Sequence, residues 1–188
     1  GVEAPVIRPE ELEEHDTLDV PVVQHAIEWL EKEEAYSPDI IVHLRPTTPL
    51  KKTEDIDRGI TLLMEHEDAD SVRSVCEPMY TPFKMYRGEA KEGEILVPIM
   101  TNVYPEVYAK NSEPHNMPRQ QWPRIWRHSG YVDVMRASVI KNGSISGTKI
   151  LALPFETWRD IDIDTPRDLR HAELIIAELE AQGKNPWD

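Results

Sequence analysis

An α/β fold is what this sequence predicts: a mainly parallel sheet with helices on both faces, interrupted by a long irregular excursion. Two observations carry that expectation. Short apolar runs alternate with amphipathic helical stripes between residues 19 and 76, and the acidic run Asp160-Ile161-Asp162-Ile163-Asp164 leads directly into a capped C-terminal helix. Strand, helix, strand, helix and strand in this order give parallel strands joined by helical crossovers.

The elements follow along the chain. Val6-Ile7 reads as a short strand ending at Arg8-Pro9, and Asp19 as the cap of a helix whose Val22, Val23, Ala26, Ile27 and Leu30 recur at helical spacing. Asp39 to Leu44 is a compact apolar strand, followed by the loop Arg45-Pro46-Thr47-Thr48-Pro49-Leu50. Thr53 is positioned to cap the next helix, with Glu54 and Asp55 favouring its dipole and Ile56, Ile60 and Leu63 facing inward. Ser71 to Cys76 is the next strand. Residues 77–127 are rich in Pro, Met, Tyr and Trp, with Ile95-Leu96-Val97 as a short strand. Within a single domain spanning 1–188 they read as a protruding dimerisation and substrate subregion. Regularity returns with a strand at Tyr131 to Val134, a helix near Arg136 to Lys141 closed by Gly143, and a strand at Lys149 to Leu153. Thr165, Pro166 and Asp168 then stand at the N-cap, N1 and N3 of a helix that runs to about Gln182 and stops at Gly183.

The acidic run carries the chemistry. On a strand, Asp160, Asp162 and Asp164 share one face while Ile161 and Ile163 take the other. Carboxylates aligned in this way repel one another unless a cation lies among them, and Mg²⁺ takes one or two carboxylates together with substrate phosphates. The pair Asp162/Asp164 also falls between a strand end and a helix N-terminus, where α/β proteins bind ligands. The same acids suit a solvated strand end, so spacing alone leaves both readings open.

Composition narrows the classes. Hydrophobic content of 39% with 30% charged residues is that of a soluble chain, no apolar run approaches a membrane span, and a cytoplasmic protein with no membrane partner is expected. The single cysteine, Cys76, excludes an internal disulfide and reads as a buried structural thiol. A net charge of −14 argues against a nucleic-acid partner, although a locally basic pocket can still take an anionic small molecule. Lys51 and Lys52, and Arg119, Arg124 and Arg127 among Trp122 and Trp126, are the basic groups placed to form one. The histidines show no ligand-pair spacing.

Several motif blocks in order resemble one family. They are Gly1-Val2-Glu3 through Arg8-Pro9-Glu10-Glu11-Leu12, Leu44-Arg45-Pro46-Thr47-Thr48-Pro49-Leu50-Lys51, Thr81-Pro82-Phe83-Lys84, Pro118-Arg119-Gln120-Gln121 with Arg127-His128-Ser129-Gly130, and Asp160 to Thr165. The chain resembles the acylneuraminate cytidylyltransferases, or CMP-sialic acid synthetases. The resemblance implies a nucleotide-diphospho-sugar transferase-like fold and a homodimer whose excursion reaches the partner subunit. It also implies a Mg²⁺-dependent reaction in which a nonulosonic acid attacks the α-phosphate of CTP, giving a CMP-sugar and pyrophosphate. Carried over by position, Asp162 and Asp164 are the catalytic, metal-holding pair. Lys84, Arg119, Arg45, Thr47, Thr48, Gln121 and Asp133 fall at sugar-binding positions, and Arg8, Asp16 and Thr17 in the segment near the nucleotide.

Departures from the family pattern qualify the substrate. Arg45 stands where sialic-acid enzymes often carry Gln, Ser129 where many carry Asn, Asp133 where an aromatic is usual, and Ser144 to Gly147 where further aromatics occur. Sites built on hydrogen bonds discriminate strongly between analogues, so legionaminate, pseudaminate or another nonulosonate is expected as readily as N-acetylneuraminate. Family members also open with a strand and a loop of the form A-R-x-x-S-K-G that grips the CTP phosphates, then a second strand, before the block that begins this chain. That is about 60 residues at roughly 30 per βα unit. On the resemblance, this chain alone is expected not to bind CTP productively. Two other readings remain open: a cytidylyltransferase for another keto sugar acid such as 3-deoxy-octulosonate, and a non-catalytic dimerisation or regulatory homologue.

Overall fold

The computed structural model describes residues 3–14, 16–89, 91–111 and 113–187. The chain divides into two compact units, one formed by Gly1–Cys76 with His128–Asp188 and the other by Glu77–Arg127.

The first unit is an α/β layer structure. Its elements are α1 (Asp19–Glu33), β1 (Ile40–His43), α2 (Thr53–Glu65) and β2 (Ser71–Cys76). The second unit holds the two-residue strands β3 (Tyr86–Arg87) and β4 (Val97–Pro98), and the short helix α3 (Pro105–Lys110). After it the first unit resumes with β5 (Arg127–Arg136), α4 (Ala137–Lys141), β6 (Ile150–Pro154) and α5 (Pro166–Ala181). The main sheet has four strands in the order β1-β5-β2-β6.

Strand alternation sends side chains to two cores. Ile40 and Val42 of β1, with Val132 and Val134 of β5, pack with Leu63, Ile56 and Ile60 of α2. Ile41 and Met135 pack on the opposite face with Val23 and Ile27 of α1 and Ala137 and Ile140 of α4. Helices therefore cover both faces, as the two-residue period of a buried strand requires. A third cluster joins α5 to the strand ends: Ala172, Ile175 and Ile176 pack on Leu50, Ile161 and Ile163.

Strand direction corrects the expectation of a mainly parallel sheet. The sheet is mixed: β2 and β6 are parallel, whereas β1 and β5 are antiparallel with Ile40 opposite Arg136 and His43 opposite Asp133. Strand β5 also runs against β2, since the Arg136 amide donates to Asp70 O at 3.1 Å while the Ser74 hydroxyl donates to Ser129 O at 2.8 Å. The reason lies in how the chain reaches β5. A parallel return needs a crossover that carries the chain to the opposite end of the sheet. Here the chain leaves β2 at Cys76 and re-enters beside it at Ser129, and both side chains hydrogen-bond to Asp160. Re-entry at the same end makes β5 antiparallel.

Other elements differ in detail. Val6 and Ile7 form no strand among the described residues, and Ile7 is 84% exposed. The run Asp160–Asp164 forms no strand, following a 3₁₀ turn at Thr157–Arg159. Asp19 and Thr53 are the first residues of their helices, not the caps, which are Leu18 and Lys52. Tyr131 accounts for the second case: its buried hydroxyl accepts the Lys52 amide at 2.8 Å and donates to Asp55 at 2.9 Å, so a distant residue secures the start of α2. At α5 the capping box forms, with the Thr165 amide donating to Asp168 at 2.8 Å and the Asp168 amide to the Thr165 hydroxyl at 3.4 Å. Among the described residues no helix is long and apolar enough to cross a membrane.

Candidate functional site

Loop 45–50 after β1, the end of β2, the start of β5 and the acidic run converge at one end of the main sheet. The buried Thr48 hydroxyl bonds both Arg45 O and Gly130 O at 3.1 Å, tying the loop to β5. The Ile163 amide donates to Thr47 O at 2.8 Å, tying the acidic run to the same loop. This is the carboxyl end of β1 and β2, where open α/β sheets take their ligands. Gly130 makes the approach possible: a Cβ there would lie 2.6 Å from Arg45 Cδ, so any larger residue would push that side chain away.

Burial alternates along the acidic run although it is not a strand. Ile161 and Ile163 turn into the α5 cluster, leaving Asp162 and Asp164 exposed. Neither of these two carboxylates makes a hydrogen bond or ion pair with a described residue. Asp160 behaves differently: it is half-buried, accepting from the Ser129 hydroxyl at 2.7 Å and from the Cys76 thiol at 3.0 Å. Only Asp162 and Asp164 are thus presented outward. Among the described residues no cluster of His, Cys, Asp or Glu is arranged to hold a metal by itself. The pair fits Mg²⁺ chemistry in which two carboxylates share the ion with substrate oxygens.

Lys51 carries a charge that acts on Asp162 of this pair. Its ammonium donates to Arg45 O at 2.6 Å and to both oxygens of Thr48, holding the loop closed on itself. Burial lowers its pKa from 10.5 to about 8, against the opposing pull of Asp162 and Asp133. A lysine that binds its proton more weakly when folded than when unfolded costs stability below its folded pKa. That cost is relieved as pH rises from about 8 towards the unfolded value. Discounted for the half-exposed position, wild-type protein is expected to gain about 1 kcal/mol between pH of about 7.5 and 9.5 relative to Lys51→Met, read from urea midpoints. An identical pH dependence in both proteins would contradict this account of Lys51.

A second polar group lies on the α1 face of the sheet. Asp133 is 0% exposed and pairs with Arg73 of β2 at 2.5 Å and with His128 Nε2 at 3.0 Å. Arg45 pairs with Asp19 at 2.6 Å. His43 sits among these charges with its Nδ1 buried and without a hydrogen-bond partner among the described residues; burial first, then Arg45, lowers its pKa and favours the neutral ring. Of the residues assigned from the sequence, Asp162, Asp164, Arg45, Thr47 and Thr48 are drawn together at this sheet end. Asp133 is enclosed by its ion pairs instead of facing outward. Arg8 and Asp16 are exposed and Thr17 half-buried in the segment before α1.

The second unit brings its own candidates together. Buried Phe83 packs against Tyr104 at 5.4 Å and Trp122 at 6.4 Å, and the Trp122 indole donates to Pro114 O at 2.8 Å. Thr81 caps the 3₁₀ turn Pro82–Lys84 and so aims Lys84 over the Trp122 ring, 5.3 Å from its centre. Lys84, Arg119, Thr81 and Trp122 line one cavity, and Gln121 is exposed in the adjacent turn Arg119–Gln121. A basic, aromatic-floored cavity of this kind suits a carboxylate.

The sequence carries no signal for the roles of Arg73 and His128, and it marks Lys51 only as a basic group, since its weakened proton affinity comes from burial. The link between Arg73, Asp133 and His128 has no sequence signal, because it depends on how β5 bends. No family model matches the chain, and no curated protein matches it in sequence.

Proposed function

We propose that this chain belongs to a cytidylyltransferase that activates a nonulosonic acid with CTP, releasing pyrophosphate. The observation that carries the reading is the outward presentation of Asp162 and Asp164, neither carboxylate hydrogen-bonded or ion-paired to a described residue, where loop 45–50 meets the acidic run. Within the second unit, the cavity containing Lys84 and Arg119 has the basic character that a sugar carboxylate calls for.

Displacement at phosphorus depends on alignment and charge neutralisation. Asp162 and Asp164 would hold Mg²⁺, which when bound offsets charge on the triphosphate and the leaving pyrophosphate. Thr47 and Thr48 fix the loop beside them, through Ile163 and Gly130 respectively. Lys84 and Arg119 bind the sugar carboxylate, and Arg119 offers the forked donor geometry that a carboxylate accepts.

A kinetic split tests this assignment. Arg119→Ala is expected to raise KM for the acid by about 10- to 100-fold, the loss of a charge-assisted pair worth roughly 1.5–3 kcal/mol, with little change in KM for CTP. Unchanged KM for the acid would remove Arg119 from the site.

A further inference from the structure

We propose that His128 accepts the proton of the attacking hydroxyl, with Asp133 as the positioning residue that fixes its ring; this rests on the cytidylyltransferase reading above. The first support is geometric. The Asp133 carboxylate is enclosed and paired through one oxygen with Arg73, so towards His128 it acts as an acceptor. His128 Nε2, 3.0 Å from its other oxygen, must then carry the hydrogen. In the neutral ring this leaves Nδ1 as a lone-pair acceptor, and Nδ1 has no partner among the described residues. The His128 side chain is 50% exposed, against 1% for that of Asp133. A buried acceptor behind a half-exposed imidazole is the arrangement that prepares a general base.

The second support is local backbone. Tyr131 reaches Asp55 of α2, and Val132 lies on the same side, 3.7 Å from where a Cβ on Gly59 would stand. Two consecutive residues on one face break the alternation of the strand, as a β-bulge does. His128 and Asp133, five apart in sequence, are thereby brought onto a common face, with Gly130 between them contributing no side chain.

The third support is place. Next to His128, the Ser129 hydroxyl donates to Asp160, the first acid of the run that carries Asp162 and Asp164. Gly130 O receives the Thr48 hydroxyl. His128 therefore stands at the rim of the candidate site. In the step, the sugar hydroxyl gives its proton to Nδ1 as its oxygen bonds to the α-phosphorus of CTP. The bond from that phosphorus to the bridging oxygen breaks, and its electron pair leaves with pyrophosphate. The charged and titratable groups around the dyad are Arg73 from β2, His43 from β1, Arg45 and Lys51 from the following loop, and Asp19 from α1.

The test joins side-chain ¹⁵N NMR with kinetics. In the wild-type chain, neutral His128 is expected as a single Nε2–H tautomer; a tautomer mixture, or the Nδ1–H form, would overturn the proposal. His128→Gln, at a half-exposed position, is expected to lower kcat by about 100-fold or more, with KM for CTP little changed, and to abolish the low-pH limb of the kcat profile. A variant with wild-type kcat and an unaltered pH profile would also overturn it. Failure of the underlying reading looks different: no wild-type form releases pyrophosphate with any acid, whereas failure of this proposal alone leaves turnover that His128→Gln does not impair.

Discussion

Asp162→Asn and Asp164→Asn are each expected to lower kcat for acid-dependent pyrophosphate release by about 10²- to 10³-fold, the equivalent of a few kcal/mol of charge stabilisation. Both side chains are exposed and make no hydrogen bond or ion pair with a described residue, so stability should change by no more than about 0.5 kcal/mol. The combination of large catalytic loss and unchanged melting is what separates a metal-holding role from a solvated acidic edge. Mg²⁺ titration gives the second readout: the apparent Mg²⁺ requirement should rise in both variants. If either variant keeps wild-type kcat and Mg²⁺ dependence, that residue does not hold the ion.

Tyr131→Ala should have the largest effect on stability. Tyr131 is wholly buried, stacks on Phe155 at 4.2 Å, and joins the Lys52 amide to Asp55 through its hydroxyl. Truncating a buried aromatic costs about 3–5 kcal/mol. For a chain of this length that lowers the melting temperature by on the order of 10 °C. Tyr131→Phe isolates the polar part: the ring remains, while Asp55 and the Lys52 amide each lose a partner, at about 1–3 kcal/mol. A Tyr131→Phe protein melting with the wild type would show that the hydroxyl does not secure the start of α2.

Local signals were legible in the sequence and long-range ones were not. The stripe Val23, Ile27, Leu30 and the cap Thr165-Pro166-x-Asp168 each depend on neighbours within one or two turns, and both α1 and α5 form where those signals lie. The direction of β5 depends on where the chain re-enters the sheet after the 77–127 excursion, which no local pattern records. Asp160 shows the same limit from the other side. Its spacing matches that of Asp162 and Asp164, yet it turns inward because Cys76 and Ser129, distant in sequence, offer it hydrogen bonds. Arg73 sits in the short run Ser71–Cys76, and its role becomes visible only once β5 places Asp133 opposite it. At the site, the sequence places Asp162 and Asp164 just before the N-terminus of α5, whereas the bond from Ile163 to Thr47 and the weakened proton affinity of Lys51 follow from packing and burial.

The central claim is tested most directly by pyrophosphate release with CTP, Mg²⁺ and a panel of nonulosonic acids, using this chain and a version extended at its N-terminus by the phosphate-gripping segment of the acylneuraminate cytidylyltransferases it resembles. Release that depends on one of the acids, in at least one of the two forms, is the predicted result, and the preferred acid identifies the substrate. Silence from both folded forms with every acid would contradict the account.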